Sequence, residues 1–173
     1  PFDNLRVAAA HPDLEHQIVK LEARQKIFKR RNALARLDEF DEIYIDTPPA
    51  MNFYSRSALV AAQRCLIPFD CDDFARQALY VLLDNIAELQ ADHNEELEIE
   101  GIVVNQFQSR ANLPQRLIEE LKAENMPLLK TQIGSSIRVR ESHDRSIPLI
   151  FMEPRHKIAG QFEALYKELQ RKR

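Results

Sequence analysis

A chain of 173 residues is long enough to bury a core and reads as one domain, 1–173. Its 24 Lys and Arg against 27 Asp and Glu leave a net charge of −3, which excludes a whole-protein field for nucleic acid, so any basic contact must be local. Two cysteines, Cys65 and Cys71, are too few for a disulfide scaffold, and no His/Cys spacing reads as a zinc site. No secretory h-region and no membrane-long apolar run is present, so the expectation is a cytoplasmic chain without stable membrane insertion.

In chain order the pattern alternates. Leu5-Arg6-Val7-Ala8-Ala9-Ala10 reads as a first strand, turned by His11-Pro12-Asp13 into a helix with Leu14, Ile18 and Leu21 at helical spacing. A second helical piece carries Leu34 and Leu37. Its Lys26, Lys29, Arg30 and Arg31 form a basic cluster, read as a solvated face or as a phosphate-backbone contact. Asp41-Glu42-Ile43-Tyr44-Ile45-Asp46 then reads as a strand buried on both faces, stopped by Pro48 and Pro49. Met51 to Ser55 reads as a loop into a short helix, Ser57 to Gln63.

Cys65 to Phe69 is the next core strand, with Pro68 marking its end. A long helix shows Ala75, Leu79, Leu82, Leu83, Ile86 and Leu89 on one face. Ile99 to Asn105 is a β-branched strand, and Pro114 fits the first turn of a helix with Leu117, Ile118 and Leu121 inward. Leu128 to Ile133 reads as a fourth strand and Ile147 to Phe151 as a short extended piece. The last helix carries Ile158, Phe162, Leu165, Tyr166 and Leu169. Strands alternating with helices predict an α/β, doubly wound, mostly parallel sheet with helices on both faces.

In such sheets ligands sit beyond the carboxyl ends of the strands, which is where Asp46 stands. A carboxylate there suits a hydrated Mg²⁺ held together with substrate phosphates. The competing reading is a strand ending in a turn, with Asp46 as a cap. Three glycines, Gly101, Gly134 and Gly160, cannot write a Gly-rich phosphate loop.

Asp46-Thr47-Pro48-Pro49 after a strand, then Leu66-Ile67-Pro68, then Val103-Val104-Asn105 resemble the ParA/MinD family of deviant Walker P-loop ATPases. Ile137-Arg138-Val139-Arg140-Glu141, Pro148-Leu149-Ile150 and Glu153-Pro154-Arg155 look like the tail of a ParA-type partitioning ATPase. The resemblance runs from the first strand to the last helix and rests on motif order and spacing together.

It implies ATP and Mg²⁺ as cofactors. Asp46 would be the acidic, catalytic residue closing the Walker B-type strand and would hold Mg²⁺ through water. Thr47, Pro48 and Pro49 would form the switch that senses the γ-phosphate, and Asn105 would face adenine. It also implies an ATP-dependent homodimer, nucleoid-associated in the cytoplasm, that binds DNA non-specifically through Arg110 and Arg138. A partner protein would stimulate hydrolysis, and the cargo would be a plasmid or a chromosome. The family's N-terminal strand, its Gly-rich loop with two lysines, and a water-positioning aspartate are missing. The chain thus reads as the C-terminal two-thirds of a ParA-like ATPase, inactive alone. Ile133-Gly134-Ser135 departs from the family's Ile-Pro-Arg.

Other classes stay open. A cobyrinic acid a,c-diamide synthase-like enzyme would need a glutaminase domain, and an iron protein-like reductase would need cluster cysteines that Cys65 and Cys71 do not match. A MinD-like membrane binder would end in a basic amphipathic helix. Gln161 to Arg173 does end in Lys167, Arg171, Lys172 and Arg173, but its apolar face is read as core. A non-catalytic interaction domain is the remaining alternative for the chain alone.

Overall fold

The computed structural model describes residues 4–108 and 111–171; Arg110 therefore lies outside the described residues. The chain divides into two compact units, Pro1–Ala62 and Gln63–Arg173.

Unit 1 is helical where order is local. Helices α1 (Leu14–Ala23) and α2 (Lys29–Leu34) both pack on α3 (Phe53–Ala61). Between α1 and α2 the chain reverses through Gln25 at φ 48°. Gln25 N–H donates to Glu22 O at 2.9 Å and Lys26 N–H to Leu21 O at 3.1 Å, the paired bonds of a Schellman cap without glycine. Helix α3 starts earlier than expected, at Phe53, because the Asn52 side chain accepts from the N–H groups of Tyr54 and Ser55. Among the described residues, the buried ones of unit 1 all lie on α3: Phe53, Ser55, Ser57, Ala58 and Val60.

Two expected strands are not strands. Residues 5–10 and 42–48 have no ladder partner among the described residues, and Val7, Ile43 and Tyr44 are exposed rather than buried. A strand exists only where its N–H and C=O groups meet a neighbour, however β-rich its side chains.

Unit 2 holds the sheet. Strands β1 (Arg64–Asp70) and β2 (Glu98–Asn105) pair in parallel, from Arg64 opposite Glu98 to Asp70 opposite Asn105. Helix α4 (Asp73–His93) makes the crossover and buries Leu79, Ile86 and Leu89. Pro68 does not end β1: the strand runs two residues further, because within unit 2 it is an edge strand and Pro68 is exposed there. Helix α5 (Asn112–Ala123) follows β2 with Pro114 in its first turn and Leu117, Ile118 and Leu121 inward, as expected.

Residues 127–135 run parallel along the other side of β2, which makes the fold α/β with a parallel sheet. They form two isolated bridges, Leu128 with Ile102 and Gly134 with Phe107, and not the continuous strand expected over Leu128 to Ile133. The interruption has a cause. The N–H groups of Lys130 and Thr131 turn to the Glu168 carboxylate at 2.8 Å, so the last helix covers this edge with side chains.

Helix α6 (Ile137–Asp144), capped by the Ser136 hydroxyl, occupies a stretch with no helical expectation. Helix α7 (Leu149–Met152) replaces the extended piece expected at Ile147 to Phe151, with Pro148 at its N-cap, where a fixed φ starts a helix. Helix α8 (Lys157–Gln170) closes the chain. It buries Ile158, Ala159 and Leu169, whereas Phe162 and Tyr166 are exposed, so its core face is narrower than the sequence pattern. Val103, Leu129, Ile133, Leu149, Ile158 and Leu169 form one core cluster. Among the described residues, no helix is long and apolar enough to cross a membrane.

Candidate functional site

In unit 1, Asp46, Thr47, Pro48 and Pro49 share one exposed loop between residues 42–48 and α3. The loop is held from below. The buried Ser55 hydroxyl donates to Ala50 O at 2.7 Å, with Pro48 O at 3.2 Å, and Asn52 Oδ1 accepts from Tyr54 N–H at 2.9 Å and Ser55 N–H at 3.3 Å. Tyr54 is itself tied down, its hydroxyl donating to Leu14 O and its carbonyl accepting from Arg30 at 3.3 Å. Burial draws the Arg30 guanidinium below its ordinary range, partly offset by Tyr54.

Asp46 itself makes no hydrogen bond or ion pair among the described residues. A solvated, unpartnered carboxylate on an anchored turn fits a water-mediated Mg²⁺ contact, which needs few protein ligands. The phosphate cradle does not fit: Gly101 sits inside β2, Gly160 inside α8, and Gly134 gives its N–H to the Gln161 side chain at 2.9 Å.

In unit 2 the polar residues collect at the carboxyl edge of the parallel segments. Asp70 ends β1 in register with the half-buried Asn105 at the end of β2. Gln106, at φ 51°, turns the chain and donates from Nε2 to Asp70 Oδ2 at 2.9 Å. Asp72 caps α4 by accepting from Ala75 N at 2.6 Å. Between the two aspartates, burial first and then their charges push the Cys71 thiol up to about 11. Burial likewise raises the Cys65 thiol inside β1.

Arg138 stands in the first turn of α6, where its Nη1 meets Glu141 at 2.6 Å and its Nε meets Glu153 at 3.5 Å. The Glu141 hydrogen bond and the charges of Glu141 and Glu153 hold the guanidinium above its ordinary range. An open depression beside it is lined by Glu153, Pro154, Arg155 and His156 and contains none of the expected nucleotide-binding residues.

The structure thus keeps Asp46 to Pro49 in one loop of unit 1, Asn105 at the end of β2 and Arg138 in the first turn of α6. Sequence reading missed Asp70, Gln106, Asn52 and Ser55. Asn52 carried a signal, a capping residue immediately before the apolar start of a helix. Gln106 carried none, because neither its left-handed φ nor its reach to Asp70, 36 residues away in sequence, leaves a local pattern.

Residues 2–99 match a family model described as an AAA domain. The chromosome partitioning protein ParA of Myxococcus xanthus is 31% identical over 97% of this chain and 60% of its own length. A solved cobyrinic acid a,c-diamide synthase from Mycobacterium smegmatis, with bound ATP analog and magnesium, is 25% identical at a TM-score of 0.68. That similarity covers 84% of this chain and 63% of that one. The structure of Cyanthece apo McdA superposes at a TM-score of 0.79, covering 92% of this chain and 66% of that one at 21% identity; it bears on the fold alone. The chain spans 60% of the length of the first curated relatives it matches.

Proposed function

The chain belongs to the ParA/MinD-type family of P-loop ATPases, and from that membership we propose that it is the larger part of a single partitioning ATPase domain. In this reading the intact protein binds and hydrolyses ATP with Mg²⁺, dimerises, and binds DNA without sequence preference to segregate a plasmid or chromosome. A partner protein stimulates hydrolysis, and the protein works in the cytoplasm at the nucleoid.

The observation that carries the reading is the Asp46 loop, an unpartnered carboxylate on a turn clamped by Ser55 and Asn52. A γ-phosphate sensor must start from a defined position, and the clamp supplies one. Asp46 would hold Mg²⁺ through water. Thr47, Pro48 and Pro49 form the moving edge of the site, and the Asn105 amide offers a donor and an acceptor to a base. Bound Mg²⁺ would neutralise charge developing on the phosphates. The phosphate cradle would come from residues outside this sequence, so the 173-residue chain alone is expected to be inactive. Arg110 and Arg138 would contact phosphates; for Arg138 this means exchanging Glu141 and Glu153 for a nucleic-acid partner.

The partitioning reading is preferred over a cobyrinate synthase because a partitioning relative is matched over 97% of the chain at higher identity. The test is Asp46→Ala in the intact protein. Loss of a metal anchor is expected to cut kcat about 100-fold, the scale of a few kcal/mol of charge stabilisation. Thermal unfolding should barely change, because Asp46 is exposed and unpartnered. A wild-type hydrolysis rate would overturn the assignment.

A further inference from the structure

Among the described residues, four that are not glycine have a left-handed φ: Gln25, Gln106, Asn125 and Ser146. Three of them close helices in the same way. Gln25, Asn125 and Ser146 follow α1, α5 and α6; each N–H returns three residues back, and the next N–H returns five. Gln106 follows a strand instead, so no helix end accounts for its φ of 51°. Backbone strain of this kind collects at functional sites.

The place of Gln106 in the sheet is a bulge. Ile133 donates its N–H to Val104 O at 2.8 Å, and in a regular parallel ladder its carbonyl would accept from residue 106. It accepts from Phe107 N–H at 2.9 Å, so one extra residue stands between the two bonds. A bulge bends its strand and re-aims the side chain beside it, here that of the half-buried Asn105. From the other side β1 holds the bulge. Asp70 is in register with Asn105, and its Oδ2 accepts from Gln106 Nε2 at 2.9 Å.

We propose, on the reading of Asn105 as the base-facing residue, that Asp70 is a positioning residue for the nucleotide. Through Gln106 it holds the bulge that aims the Asn105 amide at a purine base. A lone amide tells one base from another only while its donor and acceptor are held in place. The Asp70–Gln106 bond is exposed, so its loss is expected to alter recognition more than stability.

The test uses the intact protein with ATP and with inosine triphosphate, which carries an acceptor oxygen where ATP carries its amino donor. Asp70→Ala is expected to raise KM for ATP about 10-fold and to lower the preference for ATP in kcat/KM by a similar factor. It should leave kcat within about twofold, because the Asp46 loop lies in unit 1 and is not altered. Asp70→Asn keeps an oxygen acceptor for Gln106 and is expected to restore the preference. Gln106→Gly removes the same bond from the other side while tolerating the left-handed φ. It is expected to repeat the Asp70→Ala result, and the double variant to be no worse than either single one.

Thermal unfolding is measured on every variant. A lower melting temperature with an unchanged preference for ATP would make the bond purely structural and overturn the proposal. So would a failure of Asp70→Asn to restore the preference. Asn105→Ala separates the two levels. If it abolishes the preference while Asp70→Ala and Gln106→Gly do not, the positioning role fails and the base-facing reading stands. If Asn105→Ala keeps the wild-type preference, or wild type shows none, the base-facing reading fails and the positioning role with it.

Discussion

Unit 1 and unit 2 each contain apolar, β-branched runs, and only unit 2 turns them into a sheet. Ile102 and Ile43 make the comparison concrete. Both sit in runs that read as buried parallel strand, yet Ile102 is fully buried between two backbone partners while Ile43 is 44% exposed with none. Ile102 N–H donates to Pro127 O at 2.8 Å and its carbonyl accepts from Leu129 N at 2.9 Å. The difference shows that a strand is a property of its neighbours, whereas a helix satisfies its own backbone. The three helices described in unit 1 overlap stretches that read as helical, although α3 begins at Phe53 rather than Ser57, and the two strand-like runs stay open.

The sharpest way to break this comparison is to truncate both isoleucines. Ile102→Ala is expected to cost about 2–5 kcal/mol, as for a fully buried large-to-small change. Ile43→Ala should cost well under about 1 kcal/mol in the same chain. Urea unfolding of the two variants measures both. Equal destabilisation would mean that residues 43–45 are packed in solution as firmly as β2.

The same logic explains which parts of the molecule were legible. The α4 and α5 faces were, because Leu79, Ile86, Leu117 and Leu121 repeat at helical spacing and the helix needs nothing else. β1 and β2 were, because both partners lie within the chain. Helix α6 was not: its inward side amounts to little more than Val139 and Ser142, and only the Ser136 cap announced it. Helix α7 was hidden by Ile147 and Ile150, whose β preference reads as an extended piece. The Asp46 turn was legible as a place, since an aspartate before two prolines ends whatever precedes it. The clamp beneath it was not, because the Ser55 bonds to Pro48 and Ala50 depend on how the loop folds back onto the start of α3, which no residue pattern announces.

A middle-sized effect sharpens the comparison inside unit 2, between close-packed and open glycines. A Cβ on Gly101 would lie 2.6 Å from Leu129 Cδ2 and 2.8 Å from its Cγ, whereas one on Gly160 would meet nothing within 4 Å. Leu129 is buried and belongs to the core cluster, so it has little room to retreat. Gly101→Ala is therefore expected to destabilise by about 1–3 kcal/mol. Gly160→Ala, inside α8, should stabilise by about 0.5–1 kcal/mol by removing backbone freedom from the unfolded chain. Thermal melts of the pair check the signs. Tolerance at Gly101 would show that 127–135 does not hold its close approach to β2, and destabilisation at Gly160 would show that α8 is not open at that position.

The smallest effect concerns the edge of the sheet, and it tests whether unit 2 stays closed where unit 1 is open. The Cys71 thiol stands just past β1, partly buried between Asp70 and Asp72, and titrates near 11 instead of 9.0. The thiolate is the reactive form, so a rise of this size lowers its population at pH 8 about 100-fold. Alkylation of Cys71 by iodoacetamide is expected to be slow at pH 8 and to accelerate toward a midpoint near 11. Cys65→Ser removes the competing thiol from β1. The sign for stability follows from the same shift. Folding favours the neutral thiol, so this contribution is fully present below the unfolded-state pKa near 9 and is lost as pH rises through 11. Denaturation of Cys71→Ser should accordingly lack the part of the alkaline destabilisation that wild type shows between those values. A midpoint near 9 would mean that the β1 edge opens to solvent as freely as residues 42–48. The register of Asp70 with Asn105, and with it the shape of the edge that would face a base, would then not persist in solution.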